Sequence, residues 1–219
     1  MCSANVERAR HRSRRSRLLR IGVLGGTFDP PHVGHLLAAV DAFESLSLDK
    51  LIFVPAATQP LKTGAPALAS AKDRLEMVRR AVGDDPRFEV SDAEIARGGL
   101  SYTVDTLEAL ARQRPGAELV FILGMDALSS FDKWRSPNRI LELASLAVLA
   151  RSGDHGSSAD LSGVTVVGTR RIDVSSSEIR QRIADNKPIR GFVAESVEAY
   201  ISAENLYRLA PQPAGTPGR

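Results

Sequence analysis

The chain has 219 residues, 43% of them apolar and 25% charged, with a formal net charge of +3 and one cysteine. That length supports one full hydrophobic core in a single domain. The lone cysteine excludes an intramolecular disulfide framework and fits a reducing, cytoplasmic compartment, and no apolar run approaches the ~20 residues of a membrane span.

The charge is uneven. Residues 1–20 hold seven arginines (Arg8, Arg10, Arg12, Arg14, Arg15, Arg17 and Arg20) against Glu7, so the remaining 199 residues sum to −3. The body is therefore not a broadly basic nucleic-acid binder. Residues 1–18 read as a solvated Arg/Ser tail, with a contact to nucleic acid or an acidic surface, or a start codon placed too far upstream, as alternatives. An apolar h-region is missing, so the tail does not read as a signal peptide.

Ile21, Val23 and Leu24 predict a buried strand that breaks at Gly25-Gly26. Thr27, Asp29 and the pair Pro30-Pro31 then set a tight loop, and His32, Gly34 and His35 open a helix running to about Leu46. Strand, glycine turn and helix start is the arrangement in which backbone N–H groups converge on a phosphate. Two imidazoles three positions apart share a face of the first turn. The glycine pair alone would be a tight turn and the histidine pair alone a solvated or capping pair. The dinucleotide fingerprint GxGxxG and the P-loop string GxxxxGK(S/T) are both absent. Zinc lacks ligands, since the only cysteine is Cys2 and no third ligand is evident.

Residues 51–54 predict a short strand stopped by Pro55, followed by a Pro/Gly loop over 56–70 at its carboxyl end. Loops at that end of an open parallel sheet line the ligand crevice. Lys62 is the cation there, either solvated or a phosphate contact. Leu75, Val78 and Val82 predict an amphipathic helix over 71–82. Phe88 and Val90 form a short strand, and Thr103 is placed to cap a helix starting at Val104. Residues 119–123 are the strongest buried strand. It ends at Gly124-Met125-Asp126, where an acid can accept from ribose hydroxyls or help hold a cation. Trp134, the only tryptophan, is either an apolar plug or a stacking surface for a planar ring. Residues 146–150 and 164–167 are further strands around a Gly/Ser/Asp-rich loop over 151–163. Ser175 with Glu178 three residues later predicts a capping box, a second anion site with Ser176 and Arg180 beside it. A last helix over 196–203 turns Val197, Tyr200 and Ile201 to the core, and a Pro/Gly-rich tail starts at Pro211. Strands alternating with helices predict an α/β fold with a doubly wound, mostly parallel sheet. It forms one domain over 19–210.

GGTFDPPHVGH at 25–35 resembles the GxFxPxHxGH signature of the nucleotidylyltransferase superfamily, and VSSSEIR at 174–180 resembles its second signature, ISSTxIR. With the intervening segments, the chain over 19–209 is similar to the bacterial nicotinate-nucleotide adenylyltransferases. The resemblance implies a Rossmann-like fold and transfer of AMP from ATP to nicotinate mononucleotide, with Mg2+ held mainly by phosphates and water. It implies that His32, His35 and Arg180 are catalytic. It places Gly25, Gly26, Thr27, Phe28, Lys62, Asp126, Ser175 and Ser176 with them on the ATP side. Thr27, Tyr102, Thr103 and Trp134 fall on the nicotinate mononucleotide side, the SYTVDTL run at 101–107 resembling a family signature. Two positions depart from the pattern. Leu61 stands where the family has a histidine before the basic residue, and Val193-Ala194 where it has Val-Pro. The alternatives are transfer to nicotinamide mononucleotide or phosphopantetheine, a cytidylyltransferase, or a non-enzymatic nucleotide-binding protein. A homo-oligomer is left open.

Overall fold

A computed structural model describes residues 18–60, 67–151 and 163–208. The predicted contact of Lys62, most of both tails and most of the 151–163 loop lie outside these residues. Six strands form one sheet: β1 (Arg20–Gly26), β2 (Lys50–Pro55), β3 (Phe88–Val90), β4 (Glu118–Gly124), β5 (Ser145–Arg151) and β6 (Val164–Thr169). Every pairing is parallel, in the order β3-β2-β1-β4-β5-β6. The chain winds outward one way from β1 to β3, then crosses back to β4 and winds the other way. The switch point therefore lies between β1 and β4, and the crevice at the carboxyl ends of these strands is where such sheets bind ligands.

Helices on both faces explain the near-continuous apolar strands. They are α1 (Val33–Ser45), α2 (Ala71–Val82), α3 (Ala93–Arg97), α4 (Thr103–Gln113), α5 (Met125–Leu128), α6 (Pro137–Leu143), α7 (Ser176–Ala184) and α8 (Glu195–Ala203), with a 3-10 turn at Phe131–Lys133. Alternate strand residues divide between two cores. Ile21, Val23, Ile52, Leu119 and Phe121 pack with Val104, Leu107 and Leu110 of α4. Leu24, Leu51, Phe53, Val120 and Ile122 pack with Ala39 and Ala42 of α1. A third cluster joins Met77 of α2, Ile179 of α7 and Val197 and Ile201 of α8, and this cluster fastens the C-terminal helices beside the crevice.

Three sequence expectations change. The first strand does not break at Gly25-Gly26: it continues, because Gly25 and Gly26 stay in register with Val54 and Pro55 of β2. Thr103 is the first helical residue of α4 rather than its cap. Tyr102 takes the cap position without a side-chain bond. Helices α3 and α6 were not expected, at five and seven residues too short to show a period.

Candidate active site

Thr27 to His32 cross from β1 to α1 over the carboxyl end of the sheet. Phe28 has φ +52°, a backbone conformation that costs a non-glycine residue on the order of 1–3 kcal/mol. Burial holds it there: the ring is 3% exposed and lies edge-on to His35 at 5.1 Å and tilted against Phe53 at 5.9 Å. A Cβ on Gly26 would sit 2.7 Å from that ring, so Gly26 is required by close approach. The side chain of Phe28 is thus core, and only its backbone faces the crevice.

The His32 and His35 rings pack against each other with centroids 3.8 Å apart and planes tilted by 33°. The His32 N–H donates to His35 Nδ1 at 3.2 Å. An Nδ1 that accepts leaves the proton of a neutral imidazole on Nε2. Burial, and after it the charge of His32, lowers the His35 pKa from 6.5 to about 3. His35 is therefore a neutral donor through Nε2–H at physiological pH. The expected backbone cradle at this helix start is narrower than its sequence implied. The His32 N–H is spent on His35, and the Val33 N–H donates to the Phe192 carbonyl at 2.9 Å.

Helix α7 brings the 174–180 stretch onto the 25–35 loop. Ser175 Oγ accepts the Glu178 N–H at 3.1 Å, the serine half of the predicted capping box, and so caps the helix. Arg180 Nη1 donates to the Asp29 carbonyl at 2.7 Å, and its Nη2 to Ser177 Oγ at 3.0 Å. The Ser176 hydroxyl donates to the Pro30 carbonyl at 2.8 Å, so its proton is used to join α7 to the loop.

Asp126 lies exposed in α5, directly after β4, the neighbour of β1. Tyr102 and Trp134 pack against the core that α4 covers, and Thr103 opens α4. Trp134 packs on Phe121 at 5.8 Å and Phe131 at 5.5 Å, and its indole N–H is buried without an acceptor among the described residues. The Arg135 guanidinium lies 4.7 Å over the Tyr102 ring and 3.6 Å from Asp105. A cleft of about 740 Å³ on the flank of α4, lined by Val90, Ala96, Arg97 and Asp105, includes none of the predicted site residues.

Two residues were missed. Arg74 is 2% exposed and donates to the carbonyls of Thr27 at 2.7 Å and Ala57 at 3.0 Å. Its only sequence signal is its place on the face of α2 that carries Met77 and Val78. Tyr207 donates to Asp29 Oδ1 at 2.8 Å and had no signal at all.

The family model described as cytidylyltransferase-like matches residues 23–182. A protein of Gemmatimonas aurantiaca named "probable nicotinate-nucleotide adenylyltransferase" is 46% identical over 202 residues, which span 89% of this chain and 95% of its own. A protein of the same name from Thermus thermophilus is 44% identical over 190 residues, 87% of this chain and 100% of its own. The solved structure of Plasmodium falciparum nicotinic acid mononucleotide adenylyltransferase complexed with NaAD matches with a TM-score of 0.69 at 18% identity, covering 86% of this chain and 97% of that one. That likeness shows the shared fold. On the sequence relatives, the chain belongs to the cytidylyltransferase-like family, among its nicotinate-nucleotide adenylyltransferases.

Proposed function

We propose that this protein transfers the adenylyl group of ATP to nicotinate mononucleotide, giving deamido-NAD and pyrophosphate. In the reaction a phosphate oxygen of the mononucleotide bonds to the α-phosphorus of ATP, and the bond from that phosphorus to the bridging oxygen of pyrophosphate breaks. The attacking phosphate is already anionic, so no strong base is needed. Alignment and stabilisation of charge on the phosphoryl oxygens supply the rate.

The observation that carries this reading is the neutral, pre-oriented His35. Its Nδ1 is held by the His32 amide, so its Nε2–H is a fixed donor that need not be reorganised as charge develops. His32 donates beside it. Arg180, anchored to Asp29, supplies the positive charge for the leaving pyrophosphate. The α7 start at Ser175, the Gly25–Gly26–Thr27–Phe28 backbone, Lys62 and Asp126 complete the ATP side. Ser176 acts by joining α7 to the loop. Thr27, Tyr102, Thr103 and Trp134 take the mononucleotide, with the pyridine ring on Trp134.

Mg2+ enters with ATP through phosphate oxygens and water, in keeping with its usual preference. Among the described residues no three His, Cys, Asp or Glu side chains cluster as metal ligands, and both carboxylate oxygens of Asp29 already accept hydrogen bonds. Asp126, exposed directly after β4, would help hold such an ion through water. The single cysteine supports a reducing, cytoplasmic setting, and among the described residues no helix is long and apolar enough to cross a membrane.

The test is pyrophosphate release with ATP-Mg2+ and three acceptors in parallel: nicotinate mononucleotide, nicotinamide mononucleotide and 4′-phosphopantetheine. A kcat/KM for nicotinate mononucleotide at least tenfold above the others is expected. A preference for either rival, or turnover of none, overturns the assignment.

A further inference from the structure

Separate stretches of the chain meet at Asp29, a carboxylate 5% exposed and three residues before His32. Asp29 Oδ2 accepts the Leu68 N–H at 2.7 Å, and Oδ1 accepts the Ala69 N–H at 3.1 Å and the Tyr207 hydroxyl at 2.8 Å. The backbone carbonyl of the same residue accepts from Arg180. A buried carboxylate has lost its water, and every remaining lone pair must be met by a protein donor. Bonds to an ionised acceptor are the strong class, about twice a neutral pair. Two of the three donors here are backbone amides of one segment. The third comes from a residue 178 positions along the chain. Tyr207 is the side chain through which the end of the described chain reaches the middle of the 27–32 loop.

The Tyr207 ring packs against the cluster of Met77, Ile179 and Ile201. That packing needs only an aromatic ring. The hydroxyl adds the bond to Asp29 and a long contact of 3.9 Å to Met77 Sδ. The hydroxyl and the ring therefore do separable things.

We infer that Tyr207 is a positioning residue for adenylyl transfer: its hydroxyl holds Asp29, and with it the 27–32 loop and the Leu68–Ala69 segment, in the arrangement that presents His35 and Arg180 to the triphosphate. This rests on the adenylyl-transfer reading above. Tyr207 acts through Asp29 and not on substrate. Loosening the loop by a few tenths of an ångström misaligns an in-line transfer, so the loss falls on kcat more than on KM.

The experiment compares Tyr207→Phe with Tyr200→Phe. The Tyr200 hydroxyl bonds Asp73 of α2 at 3.0 Å and does not reach the loop, so it controls for general loosening of the C-terminal segment. Steady-state turnover with ATP-Mg2+ and nicotinate mononucleotide is read together with amide hydrogen exchange in peptides covering residues 26–36 and 67–74. Tyr207→Phe is expected to lower kcat at least threefold with KM within twofold of wild type, and to speed exchange in both peptides at least threefold. Tyr200→Phe is expected to leave kcat and exchange at residues 26–36 unchanged, its own partner Asp73 lying inside the 67–74 peptide. A smaller kcat loss in Tyr207→Phe, unchanged exchange at residues 67–74, or an equal kcat loss in Tyr200→Phe overturns the inference. If the wild type itself is inactive on nicotinate mononucleotide, the adenylyl-transfer reading fails. The exchange arm then still decides whether the Tyr207 hydroxyl fixes the loop.

Discussion

Burial, and then the charge of His32, hold the His35 imidazole neutral by lowering its pKa from 6.5 to about 3. The unfolded chain takes up a proton as pH falls through about 6.5, while the folded chain refuses it until about 3. The folded state therefore loses stability across that window, about 2 kcal/mol of it by pH 5. Replacing His35 by glutamine removes the group and the loss. Urea unfolding at pH 7 and pH 5 should show the wild type losing about 2 kcal/mol more than His35→Gln between the two. Equal losses in both proteins would place the imidazole in water. The same residue is the donor of the proposed reaction. His35→Ala should lower turnover more than tenfold while far-UV circular dichroism stays native; near wild-type turnover would remove the role assigned to it.

Elements are fastened to the site by residues that face inward from outside the 25–35 and 174–180 stretches. Arg74 sits one residue before Leu75 in α2 and gives its guanidinium to two loop carbonyls that come from either side of β2. Removing a buried donor leaves those carbonyls without water or partner, a loss of about 3 kcal/mol. Arg74→Met is expected to show that loss in denaturant unfolding; a change below about 1 kcal/mol would mean that the loops close on other donors. Gly22 makes a complementary case inside β1. A Cβ there would lie 2.5 Å from Leu48 Cδ1 and 2.9 Å from Ile122 Cδ1, both on buried side chains. Overpacking of this kind costs about 1–3 kcal/mol, and Gly22→Ala should lower the unfolding midpoint without changing the m-value.

These elements also show what the sequence could and could not reveal. Helix α2 was legible to the residue, because Leu75, Val78 and Val82 set its period and Gly83 ends it. The loop and helix starts that carry His32, His35, Ser175 and Arg180 were legible because each is a local string beside a strand or a cap. The bonds that bring those strings together were not. An arginine among apolar positions reads as solvated, since arginine is seldom buried, and the carbonyls that hold Arg74 come from loops placed only by tertiary contact. Ser176 reads as a phosphate donor in isolation, but its proton goes to Pro30. The backbone cradle of α1 is narrower than the sequence implies for the same reason: the Phe192 carbonyl that takes the Val33 N–H lies 159 positions away in sequence. One turn of α3 carries no periodicity to detect.

At the scale of the whole molecule, charge and site are separable. Residues 1–17 hold six arginines and one glutamate, so a protein starting at Leu18 has a formal charge of −2 in place of +3. The described contacts among Asp29, His32, His35, Arg74, Arg180 and Tyr207 lie within residues 27–207. Long-range attraction from the basic segment acts over roughly a Debye length, about 8 Å at physiological ionic strength. It can raise the encounter rate with anionic nucleotides at low salt but cannot align them. The truncated protein is therefore expected to move from cation- to anion-exchange retention near pH 7 while kcat stays within twofold of the full chain. Any fall in kcat/KM should appear at low salt and vanish at 0.15 M. A tenfold loss of kcat at that ionic strength would place part of the catalytic machinery in the first seventeen residues. The separation of charge from alignment would then be wrong.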